Sequence, residues 1–519
     1  MKMAEAKQAK LLKVVASQES DQSFSEILQS RRSKEIVIAF CGPVGSKIPD
    51  VVDAVENTLH SQYRYKIKRI KISDFIKKHA TKVKKDFNEA ALEDPAQRII
   101  QLQEIGNELR KKYDNEILGQ LAIESISIDR QLRREKEKDR NRDDDDKHTY
   151  RVAYLIDSLK HPDEVNILRA VYRKIFFLFG IFCQSKIRKE NLEEIQINNV
   201  EAEKIMSNDK EQAEKYGQKL IETLQHADIF INNNHPNTKT EKIKRYIALI
   251  LDNKSINPTI HEYAMFIAQS AALRSSCLSR QIGAAILSEK GEIISTGYND
   301  VPKKGGGLCT SEDGLGDHRC VVQGNYCHSN RHKDQIKESI NKIISSEYKG
   351  KEKARKVTER ITSETRIKDL IEFSRAVHAE MEAILSTSRS GLSPKGGSLY
   401  CTTFPCHHCA RHIIASGIKK LFFIEPYEKS LATELHKEEI VLEPENPHED
   451  HKKVVFSHFE GVAPRQYIDL FEADGRKVDG QGNTIDPAEA LPVTPEYLDA
   501  WSEVEAKVVD YLRKKFSSE

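Results

Sequence analysis

The chain has 519 residues, 38% hydrophobic and 31% charged, and its 82 basic against 80 acidic side chains leave a formal charge of +2. That length gives a prior of about three domains at ~150 residues each, with apolar material for more than one core. The near-neutral balance excludes a global electrostatic pull toward nucleic acid or membrane. No apolar run approaches the ~18 residues of a membrane span, and the start MKMAEAKQAK has no secretory apolar core, so a cytoplasmic protein without a membrane partner is expected.

Residues 1–34 are polar. The run EIVIAFC over 35–41 then reads as a buried strand, and Gly42-Pro43-Val44-Gly45-Ser46-Lys47 follows it. Val51, Val52, Ala54, Val55 and Leu59 give the next segment a helical period. Further strands are predicted at 65–72, 152–156, 175–182 and 229–232, with helical patterns between them. Strands alternating with helices predict a mainly parallel sheet covered on both faces. Strand, Gly42, Gly45, Ser46, Lys47, helix is the context of a phosphate-binding loop, in which backbone N–H groups and a lysine cradle phosphates. The full G-x-x-x-x-G-K-[ST] pattern is not met, because Ser46 replaces the last glycine and Ile48 stands where the magnesium-binding hydroxyl belongs. Asp157 closes the 152–156 strand as the acid of a Walker B strand does. A bound nucleotide with Mg²⁺ is the functional expectation for this domain. A scaffold without ligand is the plain alternative.

The mixed-sign run over 133–147 has no apolar period and reads as a solvated helix end and loop, with a lid over the first domain as its functional option. The pattern restarts near 253–258 with a helix (His261, Ala264, Met265, Ala268, Ala272). Strands at 282–287 and 293–298 flank a Ser-Glu-Lys-Gly turn as a hairpin. A Gly- and Cys-rich insertion spans about 303–332, and a charged helical segment covers 334–358. Helix, strand, helix and strand candidates run from 373 to 424. The tail predicts a strand near 454–457 and a helix from 495 to about 514. The implied division is 1–34, 35–252, 253–440 and 441–519.

Of the 9 cysteines, Cys41 and Cys183 stand alone and seven crowd into the C-terminal half, which in a reducing compartment points to metal ligands before disulfides. The sharpest pattern is His378-Ala379-Glu380 followed by Pro405-Cys406-His407-His408-Cys409. A hydrolytic zinc needs three protein ligands and one position left for water. His378, Cys406 and Cys409 supply the three, and Glu380 is the acid placed to move protons. Both segments read as helix starts, whose N-termini favour thiolate over thiol. His-x-Glu then Pro-Cys-x-x-Cys is the signature of zinc nucleobase deaminases. A structural zinc is the alternative, but such sites usually have four protein ligands.

From about 258 to 430 the sequence resembles deoxycytidylate deaminases. Cys277-Leu-Ser-Arg280-Gln-Ile-Gly283-Ala-Ala-Ile286 and Ser295-Thr-Gly297-Tyr298-Asn299-Asp300-Val-Pro302 carry the likeness beyond the zinc motifs, with Asp300 where the family usually has Gly. The resemblance implies a cytidine-deaminase-like α/β/α domain and hydrolytic deamination at C4 of cytosine. It implies substrate contacts from Asn299 and Ala379, with Arg280 as a phosphate contact. Some members hold a second, structural zinc, and Cys309, Cys320 and Cys327, with His318, His328 and His332 nearby, are the candidates for it here.

The first domain resembles P-loop nucleoside-monophosphate kinases. A kinase-like domain before a deaminase-like one resembles bacterial anti-phage deoxycytidine-nucleotide deaminases. That likeness implies conversion of dCTP and dCMP to deoxyuridine nucleotides, depletion of the cytosine deoxynucleotide pool during infection, a homo-oligomer, and control by an inhibitory RNA or nucleotide. The alternatives are a nucleic-acid-editing deaminase, acting on tRNA or single-stranded DNA, and a nucleotide kinase or sensor with a zinc sensor domain.

Overall fold

The computed structural model describes residues 33–84, 87, 92–138, 151–210, 217–234, 239–251, 256–347, 350–427, 429–444, 452–472, 492–493 and 499–517. Nearly all of the 1–34 segment, and 139–147 of the charge run with its lid option, lie outside these described residues. Among the described residues no helix is long and apolar enough to cross a membrane.

Two six-stranded sheets organise the chain. In the first, β1 (Ile36–Cys41) is buried at every position, as a strand covered on both faces requires. Ile36, Ile38 and Phe40 enter one core and Val37, Ala39 and Cys41 the other, which is the period-2 alternation of a strand between two helical layers. Around β1 lie β2 (Lys66–Lys71), β3 (Val152–Asp157), β4 (Phe176–Phe182) and β5 (Ile229–Asn232), all parallel, in the order β2-β3-β1-β4-β5. β2 reads KIKRIK and is mostly exposed; charges of this kind guard an open sheet edge.

The second sheet has the order β10-β11-β9-β8-β6-β7. β6 (Gly283–Leu287) and β7 (Ile293–Tyr298) form the expected antiparallel hairpin, and β6 also runs antiparallel to β8 (Ser398–Thr403). From β8 onward the pairing is parallel, through β9 (Lys420–Glu425) and β11 (Val454–His458) to β10 (Ile440–Leu442). Ala284 and Ile286 face the core beneath the helices Ala379–Arg389 and His407–Ala415. Ala285 and Leu287 face the helix Ile260–Ala272 and join a core that continues into the first sheet.

The tail ties the two sheets together. After β11 only Phe459 and Glu460 intervene before β12 (Gly461–Val462), which adds antiparallel to β5 of the first sheet. β10 straddles the expected boundary at 440. The helix Asp499–Ser517 packs back on the helix Ile117–Lys138, where Glu505 meets the buried Arg130, itself 2.7 Å from Glu35. The junction is also fixed by Glu262, a fully buried carboxylate. It accepts from Arg245 Nη2 at 2.6 Å, from the Thr259 N–H at 2.7 Å and from the Val462 N–H at 2.9 Å.

One helical expectation is corrected. The segment predicted over 334–358 is two helices, His328–Glu347 and Lys351–Glu364. Gly350 precedes the second with a φ of 124°, a conformation that breaks a helix and that other residues rarely adopt.

Candidate active site

His378 and Cys406 occupy equivalent places. Each has extended backbone at the N-cap of a helix, Ala379–Arg389 and His407–Ala415 respectively. Their carbonyls accept the first helical hydrogen bonds, from Glu382 and Ala410, both at 2.9 Å. Two helix N-termini thus meet at one point, and the partial positive charge there favours anionic sulfur. Cys409 follows within the first turn of its helix and is fully buried.

The close approach of the first helix depends on a glycine. A Cβ on Gly297 of β7 would lie 2.2 Å from the carbonyl oxygen of Ala379 and 2.4 Å from the nitrogen of Ala383. Gly283, on the opposite face of the hairpin, plays the same part for the other layer: its Cβ would lie 1.9 Å from the Ala268 carbonyl oxygen.

His378 Nδ1 lies 3.3 Å from Cys406 Sγ and 3.3 Å from Cys409 Sγ, and the three donor atoms all fall within 4.8 Å of one another. Hydrogen bonds from Cys409 and His378 hold the Cys406 thiol far below its usual range. Burial, with a hydrogen bond to Cys406, pushes Cys409 up. Burial opposes protonation of His378, yet the hydrogen bond and charge of Cys406, with Glu380, lift it to about 9. A divalent cation takes these donors with the sulfurs as thiolates and the imidazole neutral. Among the described residues the group is two sulfurs and one imidazole, a set that fits zinc with one coordination position left over. Glu380 stands beside them, 4% exposed, its carboxyl lifted by burial to about 7.

A cavity of about 330 Å³ opens on this cluster, bordered by His378, Glu380 and Cys406 on one side and by Asn299, Arg280 and Tyr427 on the other. Arg280 stands at its edge, half exposed, 3.4 Å from Glu425. Asn299 lines the cavity, but its side-chain amide is committed at both ends. Nδ2 donates to the Arg280 carbonyl at 2.8 Å, and Oδ1 accepts the Ile282 N–H at 2.7 Å. It shapes the loop that presents Arg280. Asp300 accounts for its departure from the family pattern: its buried carboxylate accepts from the Ser276 N–H and Oγ, both at 2.9 Å, and so pins the loop carrying Cys277. Ala379 is buried at the first turn of its helix.

The second metal set does not assemble as expected. Cys320 and Cys327 border the cavity together with Cys277. Cys309 is buried apart, its thiol directed to the carbonyls of Pro302 and Gly316 at 3.7 and 3.9 Å. Among the described residues, the one further grouping of three donor atoms within 4.8 Å is Glu372, His407 and His408, exposed to half-buried.

The loop over Gly42–Lys47 follows β1 as predicted, but this chain satisfies it internally. The Val44 N–H donates to Asp209 Oδ2 at 2.6 Å, the kind of hydrogen bond a phosphate oxygen would take. Lys160 holds the Gly42 carbonyl at 2.7 Å and Asp209 at 2.8 Å. Ser46 Oγ donates to the Pro43 carbonyl at 2.6 Å, Asn191 holds the Gly45 carbonyl at 2.7 Å, and Lys47 turns to Glu194 at 2.7 Å. Asp157 lies at the end of β3, its carboxyl pushed up by burial despite Lys71 and Lys160 nearby. The geometry does not support an open phosphate cradle here. Sequence reasoning missed Tyr427, Lys429 and Lys333 around the catalytic cavity. No local pattern marks them, because Tyr427 and Lys429 come from the loop after β9 and Lys333 from the helix His328–Glu347, far apart in sequence.

Residues 258–425 match the family model described as the cytidine and deoxycytidylate deaminase zinc-binding region. The deoxycytidylate deaminase of Enterobacteria phage T4 is 32% identical over 171 residues, which are 32% of this chain and 77% of that protein. ComE operon protein 2 of Bacillus subtilis (strain 168) is 27% identical over 165 residues, 31% of this chain and 59% of that one. The apo crystal structure of dCMP deaminase from the cyanophage S-TIM5 aligns at 17% identity, covering 39% of this chain and 99% of that chain, with a TM-score of 0.22.

Proposed function

Since the chain belongs to the cytidine and deoxycytidylate deaminase family, a family of zinc-dependent enzymes, we propose that it deaminates deoxycytidine mono- and triphosphates to deoxyuridine nucleotides and ammonia. The observation that carries this reading is the convergence of His378, Cys406 and Cys409 into one group of donors, at a cavity bordered by His378, Cys406 and Glu380.

Those three side chains would hold the zinc, and zinc in such a site lowers the pKa of a water toward neutrality. Glu380 does the proton work. Its carboxyl, lifted toward 7 by burial, is poised to exchange protons at neutral pH. It takes a proton from the attacking water and passes it to the ring nitrogen N3. The oxygen bonds to C4; Glu380 then takes the remaining proton from that oxygen and delivers it to the amino nitrogen, and as the bond from C4 to that nitrogen breaks, ammonia leaves and the C4 carbonyl forms. Burial of the cluster excludes bulk water from these transfers. Arg280, at the edge of the cavity, faces the phosphate end of the nucleotide.

In the cell this activity would drain the cytosine deoxynucleotide pool and so starve an infecting phage. Two features support that reading: the resemblance of the sequence to anti-phage deoxycytidine-nucleotide deaminases and the parallel-sheet domain joined to the deaminase domain. The same reading includes a homo-oligomer held in check by an RNA or nucleotide.

The test is mass spectrometry of dCMP, dCTP and single-stranded DNA after incubation with zinc-loaded protein. Deoxyuridine mono- and triphosphate should appear, with no change in the strand. Deamination of the strand alone would replace this reading with nucleic-acid editing.

A further inference from the structure

The catalytic cavity does not end at its own rim. A second cavity, of about 550 Å³, lies beside it and shares Arg280, Tyr427 and Lys429 as a common wall. Four cationic side chains line this second space, Lys219, Arg280, Lys368 and Lys429, against two carboxylates, Glu222 and Asp369. Three of the four come from the deaminase domain. Lys219 comes from the first domain, at the start of the helix Leu220–Gln225, whose Ile221, Glu222 and Gln225 also border the space.

Lys219 is fixed where it stands: its N–H donates to the Lys160 carbonyl at 3.0 Å, and its own carbonyl accepts from Thr223 Oγ at 2.8 Å. The ammonium itself is loosely held. Lys219 lies 3.5 Å from Glu222, Lys429 lies 3.5 Å from Asp369, and Arg280 lies 3.4 Å from Glu425. These contacts are longer than the ~2.7–2.9 Å of a strong charge-assisted hydrogen bond, so a phosphate oxygen can displace them. At the shared wall the cations crowd one another. Lys333 Nζ and Lys429 Nζ both donate to the carbonyl of Lys368, at 2.9 and 3.4 Å. Two ammonium groups on one carbonyl repel, and an anion between them relieves that repulsion. Tyr427 stands where the two spaces meet.

We propose that the second cavity is a polyphosphate subsite completed across the domains. The nucleoside of a deoxycytidine triphosphate lies in the catalytic cavity, its first phosphate at the Arg280–Lys429 wall, and its outer phosphates beyond that wall, where Lys219 of the first domain binds them. This rests on the nucleotide-deaminase reading and adds to it a role for the first domain: Lys219 sets the preference for triphosphate over monophosphate.

Binding separates this inference from turnover. The zinc-loaded Glu380→Gln chain is titrated calorimetrically with dCMP and with dCTP, with and without Lys219→Ala, and the unsubstituted chain and its single Lys219→Ala variant are assayed for turnover of both nucleotides. The Glu380→Gln chain should bind triphosphate about tenfold more tightly than monophosphate or better, and Lys219→Ala should remove most of that advantage while shifting monophosphate binding by less than about twofold. Lys219 is partly exposed, and a thermal melt confirms that its variant folds. Equal binding of the two nucleotides, or an equal loss on both in Lys219→Ala, overturns the subsite. Lys219-dependent triphosphate binding in a chain that deaminates neither nucleotide sustains the subsite and overturns the deaminase reading. Turnover indifferent to Lys219 does the reverse.

Discussion

Gly297 and Ala379 pack so closely that strand and helix leave no room for one methyl group between them: a Cβ on Gly297 would fall 2.2 Å from the Ala379 carbonyl oxygen. The obstacle is backbone at the first turn of the helix that carries His378 at its cap and Glu380 two residues on. It cannot be cleared by a side-chain rotation.

Gly297→Ala should therefore displace the helix and misplace donor and acid together. Overpacking of this kind costs about 1–3 kcal/mol. The expected result is a lowered thermal midpoint with reduced zinc content and reduced ammonia release, read by metal analysis and a coupled ammonia assay. Unchanged zinc and activity would show that the helix start tolerates the shift.

The Arg245–Glu262 pair predicts an asymmetry. Glu262 is fully buried, while a quarter of the Arg245 side chain is exposed. Arg245→Met leaves a carboxylate in the interior without its cation and should cost about 3–5 kcal/mol. Glu262→Gln keeps an acceptor for the Thr259 and Val462 N–H groups and leaves an arginine that reaches water, so it should cost less. Urea unfolding of both variants gives the order. The reverse order would mean that the pair does not hold the domain junction in the way its burial implies.

Acid should destabilise the protein through His161. This side chain is 2% exposed and caps the helix Pro162–Tyr172, its Nδ1 accepting the Asp163 N–H at 3.2 Å. Burial pushes its pKa below the usual value, against Glu164 and Asp163 and with Arg110 and Lys219. Between that lowered value and the ordinary ~6.5 the unfolded chain binds more protons, so stability rises with pH across this window. The contribution is complete above about 6.5 and is lost as the pH falls. The thermal midpoint should drop between pH 7 and 5, and His161→Asn, which keeps a capping oxygen, should flatten that slope. An unchanged slope would assign the acid sensitivity to other groups.

Where the sequence was legible, local chemistry was sufficient. His378, Glu380, Cys406 and Cys409 lie in two short segments, and each segment opens a helix. The apolar run of β1 and the hairpin of β6 and β7 were equally plain, since period and turn residues decide them. What stayed hidden depends on contacts distant in sequence. The Asp209 carboxylate at the Val44 N–H is supplied 165 residues away, and it changes the meaning of a loop that reads locally as a phosphate cradle. The amide of Asn299 is taken up by the Arg280–Ile282 backbone. Cys309 is near Cys320 in sequence but faces carbonyls of its own loop. The return of β12 to the first sheet involves two residues, too few to leave a pattern.

The most direct test of the deaminase account is a paired measurement on the native chain and Glu380→Gln: zinc per chain by metal analysis, and ammonia released from dCMP. Zinc held by His378, Cys406 and Cys409 in both proteins, with ammonia released by the native chain and at least about a hundredfold less by Glu380→Gln, is the predicted result. A Glu380→Gln chain that keeps its zinc and releases ammonia at the native rate would contradict it.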